Sequence, residues 1–397
     1  MNFPKSLKKK VYLDYAAATP MDKRVVRAMK KYWNKEFGNP NAIHQEGVKV
    51  KKALEKARGD IASLLSTHAD EIIFTSGGTE SNNLAIKGLI EHLKEEVKNP
   101  HIITSSIEHP SILEVCQNLE KEGVEVTYLK PDKEGLINPK DIKEALRENT
   151  VLVSIMYANN EIGSIQPIKE ISKIIRHFKK QYQKDNTDYP FFHTDACQAV
   201  GYLDIDVLRL NIDMMSVSGA KIYGPKGVGF LYKKRNVALS PIIIGGGQEK
   251  GLRSGTENIP SIIGLAEALK IVKEVKEKEN QRVQSLRDYF IDSLLSNYNF
   301  TSLNGSKKER LPNNVNVSFS DIDNERLIIE LDAKGIFASA KSACQSHQSD
   351  ASYVIMALGK DKKEANSSVR FSLGRQTTLR DINYVLKTLL KIINKIN

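Results

Sequence analysis

The stretch Ser216-Val-Ser-Gly-Ala-Lys-Ile-Tyr-Gly-Pro-Lys-Gly-Val-Gly229 sets Lys221 among small residues, glycines and a proline. An apolar run, Asp213-Met-Met-Ser-Val217, leads into it and reads as a short buried strand, and Val228-Gly-Phe-Leu-Tyr232 resumes a strand pattern beyond it. A lysine at the tight end of a buried strand is unusual, because burying its charge is costly unless the charge is paired or its pKa falls. Such an amine suits a Schiff base to an aldehyde cofactor. A solvated lysine in a glycine-rich hairpin fits the same residues.

Upstream, apolar strands over 71–75, 101–104, 124–128, 151–156 and 191–193 alternate with helical spacing over 79–97, 111–121, 139–147 and 168–181. This pattern predicts an α/β fold with a mostly parallel sheet covered on both faces, in which ligands bind at the carboxyl ends of the strands. Residues 22–37 have helical spacing, with Val25, Val26, Met29 and Trp33 on one side. After Gly255 the texture changes. Residues 259–296 form a long charged helical pattern able to bridge two domains. Residues 314–319 and 367–372 alternate with period two, which predicts an antiparallel sheet with one wet face. The expected organisation is a large cofactor-binding domain over 16–259 and a smaller α+β domain built from 1–15 and 260–397.

At 397 residues, 40% hydrophobic and 27% charged, the chain is an ordinary globular protein able to bury a substantial core. No apolar run approaches the ~20 residues of a membrane helix. The basic start, Met1-Asn-Phe-Pro-Lys-Ser-Leu-Lys-Lys-Lys10, lacks the apolar region of a secretory signal, so a cytoplasmic location is expected. The net charge is +11, but the lysines alternate with glutamates on helices, as in Lys270-Ile-Val-Lys-Glu-Val-Lys-Glu-Lys-Glu279. These read as solvated faces, and no direct nucleic-acid partner is expected. Three cysteines, an odd number without a Cys-x-x-Cys, argue against a disulfide framework or a structural zinc site.

Three clusters fall at predicted strand ends. Thr75-Ser-Gly-Gly-Thr-Glu-Ser81 joins a strand to a helix, where glycines allow close approach and the helix N-terminus favours an anion; a plain capped turn fits as well. Asp195, in His193-Thr-Asp-Ala-Cys-Gln198, could hold a pyridinium proton or cap a helix. His109 could stack on a flat ring, transfer protons, or serve structure alone. Cys344 lies in a polar stretch, Ala338-Ser-Ala-Lys-Ser-Ala-Cys-Gln-Ser-His-Gln-Ser-Asp350, that reads as an exposed, mobile loop, with Lys341 and His347 near enough to favour a thiolate. Cys116 is expected on a helix core face, and Cys197 is expected to pack near the cofactor.

A Gly-Thr turn, a strand-end His, an Asn-Asn-Glu turn, a strand-end Asp and a strand-end Lys follow one another in that order. Together with Tyr12-Leu-Asp-Tyr15, Phe37-Gly-Asn-Pro40, Asn159-Asn-Glu-Ile-Gly163, Arg253-Ser-Gly-Thr256, Ser342-Ala-Cys344 and Arg370-Phe-Ser-Leu-Gly-Arg375, the chain resembles the fold type I pyridoxal-phosphate enzymes. More narrowly, it resembles the cysteine desulfurases of the NifS/IscS type, within the class V aminotransferases. The resemblance implies a mostly parallel seven-stranded sheet, pyridoxal 5'-phosphate as cofactor and a homodimer. It implies that Lys221 carries the cofactor as a Schiff base, Asp195 pairs with the pyridine nitrogen, Gln198 contacts the phenolic oxygen and His109 stacks on the ring. Gly78, Thr79 and Ser218 hold the phosphate, with Thr256 supplied by the partner subunit; Asn160 positions cofactor and substrate, and Arg370 with Asn39 binds the substrate carboxylate. Lys221, Cys344 and His109 are the implied catalytic residues, and no metal is implied.

The implied activity converts L-cysteine to L-alanine and passes the sulfur, as a persulfide on Cys344, to an acceptor such as an iron–sulfur scaffold, for iron–sulfur cluster assembly and tRNA thiolation. A selenocysteine lyase or another enzyme of the class V aminotransferase type stays open, and Cys344 discriminates, since transamination needs no thiol. Two departures stand out: Ala220 occupies the position before the lysine where relatives have a histidine at the phosphate site, and Lys341 replaces a glycine near the nucleophile.

Overall fold

A computed structural model describes residues 9–182, 188–298, 300–340 and 351–396. In chain order its strands are β1 (Val11–Tyr12), β2 (Ile72–Thr75), β3 (His101–Ser105), β4 (Glu125–Leu129), β5 (Thr150–Ser154) and β6 (Phe191–Asp195), followed by β7 (Met214–Ser218), β8 (Gly229–Lys233), β9 (Thr301–Leu303), β10 (Asn314–Phe319), β11 (Ile336–Phe337) and β12 (Ser368–Ser372).

Seven of them form one sheet in the order β2-β8-β7-β6-β5-β3-β4. β8 runs antiparallel to both its neighbours, and the remaining pairs are parallel. β2, β3, β5 and β6 are buried along their whole length, as strands covered by helices on both faces must be. One cover is made by the helices Lys23–Asn34, Gln45–Leu64 and Ile168–Tyr182, the other by Gly78–Leu93 and Pro110–Lys121.

The helix Ile259–Asn297 is shared between two cores. Its Ile262, Leu265, Leu269 and Val272 join the large-sheet core; its Val283, Phe290, Ile291 and Leu294 join a second core with Val11, Leu13, Val317 and Phe371. That second core lies under a three-stranded antiparallel sheet, β12-β10-β9.

Two sequence expectations change. On the helix Lys23–Asn34 the inward residues are Val25, Met29 and Tyr32, whereas Val26 and Trp33 are 51% and 59% exposed. At 3.6 residues per turn, Val26 and Trp33 sit roughly a quarter-turn away from the buried stripe. The alternating strands β10 and β12 have no wet face: every residue of both is buried. The polar side of β10 packs on the turn after β5, where Asn314 Nδ2 and Asn316 Nδ2 both donate to the Glu161 carbonyl, at 2.9 and 3.0 Å.

Candidate active site

β2, β3, β5, β6 and β7 all deliver their carboxyl ends to one side of the large sheet, and the segments leaving those ends line a cavity of about 430 Å³. Lys221 reaches it from a single 3₁₀ turn, Gly219–Lys221, that follows β7 directly. Its Nζ donates to the carbonyls of Ala16 and Ala17, at 3.0 and 2.6 Å. The Ala16 carbonyl also accepts from Gln198 Nε2 at 3.0 Å, and Ala16 N–H donates to Ser372 Oγ at 2.8 Å. Residues 14–17 thus form a strap across the cavity.

The strap's first member, Asp14, pairs with Arg370 on β12: Nη2 lies 2.8 Å from Asp14 Oδ1, while Nη1 donates to the Asn160 carbonyl at 3.0 Å. Arg370 is only 1% exposed, and its buried Nε has no hydrogen-bond partner. A guanidinium with one unmet donor at a cavity wall is suited to a carboxylate arriving in the cavity.

Opposite lies the helix Gly78–Leu93, whose first N–H groups have no partner within the helix. The chain enters it through Gly77 at φ +152°, a conformation that side-chain-bearing residues rarely adopt, and a Cβ at Gly78 would stand 2.5 Å from Cys197 Sγ. Glu80, in the same first turn, would repel an anion if unpaired. Burial acts against its charge, but Arg253 at 2.9 Å and the Ser76 N–H at 2.8 Å outweigh that and hold its pKa below the usual value.

Asp195 ends β6, buried, with Oδ1 accepting from Cys197 N–H at 2.9 Å and Oδ2 from Asn82 Nδ2 at 2.8 Å. His109 caps the helix Pro110–Lys121. Burial lowers its pKa; Asp195 opposes the shift and Lys221 adds to it. Behind it Glu108 is fully buried, and burial pushes its carboxyl up to about 8 against hydrogen bonds from Ser105 and Met156 N–H. Burial, with Asp195 adding, also holds the Cys197 thiol well above its usual range, and burial pushes Cys116, on a helix core face, up to about 12.

The cavity brings together Gly78, Thr79, His109, Asn160, Asp195, Gln198, Ser218, Lys221 and Arg370. Asn39 and Thr256 do not line it. Both are exposed, and the Asn39 side chain accepts from Asn41 N–H at 2.9 Å. Cys344, Lys341 and His347 lie outside the described residues. Ala220 lines the cavity, and its carbonyl accepts from Thr19 N–H and Oγ1, both at 3.0 Å. Sequence reasoning missed Asp14, Asn82, Ser111 and the Ala16–Ala17 carbonyls. Asn82 carried a signal: it lies four residues after the cradle glycine Gly78, hence on the same helix face.

A phosphorylated pyridine aldehyde fits this donor set. The helix N-terminus with its bare glycines suits the phosphate, the Asp195 carboxylate suits a ring nitrogen, and the Lys221 amine suits the aldehyde.

The Aminotransferase class-V family matches residues 11–385. The chain is similar to the cysteine desulfurase IscS of Dictyoglomus turgidum, 46% identical over 390 residues that cover 98% of this chain and 96% of the relative. It is also 46% identical to the cysteine desulfurase IscS of Methanosarcina thermophila, over 98% of this chain and 93% of that one. Among solved structures, a NifS-like protein superposes with a TM-score of 0.89 at 34% identity, covering 97% of this chain and all (100%) of the other. A second, described as SspA in complex with cysteine, has a TM-score of 0.78 at 39% identity, covering 92% and 99%. The chain belongs to the class V aminotransferase family, among its cysteine desulfurases of the NifS/IscS type, which use pyridoxal 5'-phosphate.

Proposed function

We propose that this chain takes the sulfur of L-cysteine, releases L-alanine, and carries the sulfur as a persulfide on Cys344 to an acceptor protein such as an iron–sulfur scaffold, serving iron–sulfur cluster assembly and tRNA thiolation. The observation behind this reading is the convergence of Lys221, Asp195 and Arg370, from three strands of two sheets, on one cavity. The similar SspA structure was solved in complex with cysteine, which supports the same substrate here.

Pyridoxal phosphate, when bound, draws electrons from the amino acid's Cα and so loosens the Cα proton and the Cβ–S bond. Lys221 would hold the cofactor through Nζ and would take and return the Cα proton. Asp195 would hold the ring nitrogen's proton, Gln198 would meet the phenolic oxygen, and His109 would pack on the ring. Gly78, Thr79 and Ser218 would hold the phosphate. Arg370 takes the substrate carboxylate, with Asn160 positioning it. The Cys344 thiolate then attacks the substrate sulfur. A sulfur–sulfur bond forms, the Cβ–S bond breaks with its electron pair left on carbon, and a proton completes the methyl group of L-alanine.

We read the protein as a homodimer in which Thr256 of each protomer completes the other's phosphate site. Phe37, Ile43 and Ile244, exposed at 74%, 98% and 87%, are apolar side chains that a partner subunit would cover. We place its work in the cytoplasm, where thiols stay reduced. No helix among the described residues is long and apolar enough to cross a membrane. Replacing Cys344→Ser tests the reading. The variant is expected to bind the cofactor, seen by its absorbance, yet to form neither persulfide nor sulfide; undiminished sulfide release would remove Cys344 from the mechanism.

A further inference from the structure

Asp195 and His109 reach the cavity from different strands, yet they are joined beneath it by two side chains to which nothing above gives a role. Asn82 is fully buried on the helix Gly78–Leu93. Its Nδ2 donates at 2.8 Å to Asp195 Oδ2 and at 2.8 Å to Ser111 Oγ. Ser111 Oγ in turn lies 2.8 Å from His109 Nδ1.

The direction of every proton in this chain follows from chemistry. A carboxylate can only accept, so the Asn82 amide must face Asp195 with nitrogen, and both its protons are used. Its other end shows the same priority: Asn82 Oδ1 is buried and has no hydrogen-bond partner. Leaving a buried acceptor unmet is costly, so what the fold keeps at this position is the pair of donors. His109 Nδ1 also receives the backbone N–H of Ser111 at 3.1 Å. A backbone N–H can only donate, so Nδ1 bears no proton and the neutral ring carries its proton on Nε2. Ser111 Oγ therefore accepts from Asn82 and donates to His109.

We propose that Asn82, acting through Ser111, is a positioning residue that couples Asp195 to His109: it fixes the rotation of the carboxylate and keeps His109 neutral with its proton on Nε2. The proposal rests on the desulfurase reading for its effect on turnover, but the coupling itself belongs to the protein alone. With Asn82 absent, nothing holds the Ser111 hydroxyl as a donor to Nδ1. The ring nitrogen then keeps only the Ser111 backbone N–H, one donor fewer to favour its unprotonated form, and His109 protonates at higher pH. Asp195 loses one of the two donors that hold its carboxylate in place.

The test has two arms. In cofactor-free protein with 15N-labelled imidazoles, His109 is expected to show the Nε2–H tautomer, and Asn82→Leu to move its titration to higher pH. In the holoenzyme, Asn82→Leu is expected to lower kcat for L-cysteine roughly tenfold, the order of one charge-assisted hydrogen bond, while KM stays within about twofold because Arg370 is outside the network. The double variant with Ser111→Ala should be no worse than Asn82→Leu alone. Should Asn82→Leu fail to fold, Asn82→Ser, too short to span both partners, is read in the same way. An Nδ1–H tautomer, an unmoved His109 titration, or additive losses in the double variant would each overturn the coupling. Absence of desulfurase activity in the wild-type holoenzyme would overturn the functional reading and leave the first arm standing.

Discussion

In the seven-stranded sheet the side chains that face the cavity sit where the strands end; in the three-stranded sheet polar side chains run along the strand itself. β7 is buried through Val217 and first opens to the cavity at Ser218, three residues before Lys221. β10 alternates Val315, Val317 and Phe319, which enter the second core, with Asn314, Asn316 and Ser318, which are equally buried. The latter are satisfied by one another's neighbours: Asn304 Nδ2 donates to Asn316 Oδ1 at 2.8 Å and to Ser318 Oγ at 3.0 Å, and Arg310 Nη1 donates to Asn314 Oδ1 at 2.6 Å. Alternation along a strand states that its two faces differ in chemistry. Which face meets water is decided by what lies against it. Here the amide face is clamped to the turn that also carries Asn160, so the small sheet fixes a wall of the site while the large sheet supplies the reacting groups.

The contrast predicts that a strand-end change alters chemistry and spares the fold, while a mid-strand change does the reverse. The largest effect is expected for Lys221→Ala, with turnover of L-cysteine falling roughly 10²–10⁴-fold or more and the melting temperature little changed. A comparable loss of stability would break the contrast. Next comes Asn314→Ala, which leaves the buried Arg310 guanidinium and the Glu161 carbonyl each short of a partner. Denaturant titration should show a loss of about 2–4 kcal/mol, and a loss below about 1 kcal/mol would mean that the amide face is not a clamp.

The smallest effect concerns Glu108, a buried carboxyl beyond the end of β3. Its pKa is raised from 4.5 to about 8 by burial, so the folded state binds a proton that the unfolded chain releases. Its contribution is therefore complete below pH 4.5 and is lost as the pH climbs through about 8. Glu108→Gln should flatten the melting temperature across that window. His193, on β6, has the opposite sign: burial lowers it from 6.5 to about 4, so its contribution is complete above pH 6.5 and is lost as the pH falls through about 4.

The large sheet, the lysine turn and the glycine cradle were legible because each is written in local residues: an apolar run, a breaker, then helical spacing. The wet face assigned to β10 failed because burial of amides depends on a turn about 150 residues away, as the separation of 153 between Asn314 and Glu161 shows. The inward face of the helix Lys23–Asn34 was half legible. Val25 and Met29 fit the stripe, but Val26 and Trp33, which the spacing placed beside them, face outward, and Tyr32 completes the buried side. Asp14 and the Ala16–Ala17 carbonyls were hidden for a different reason. Backbone oxygens leave no mark in a sequence, and the Asp14–Arg370 pair spans 356 positions.

That span bears on how the protein is made. Residues 14–17 leave the ribosome well ahead of the groups that pin them: Asp14 precedes Arg370, and Ala16 precedes Ser372, by 356 positions. A nascent chain carrying Lys221 but not yet position 370 has its strap unfastened at one end, so the lysine amine lacks its finished surroundings until β12 has been made. A translation product interrupted before that strand retains the lysine without the far wall of its pocket.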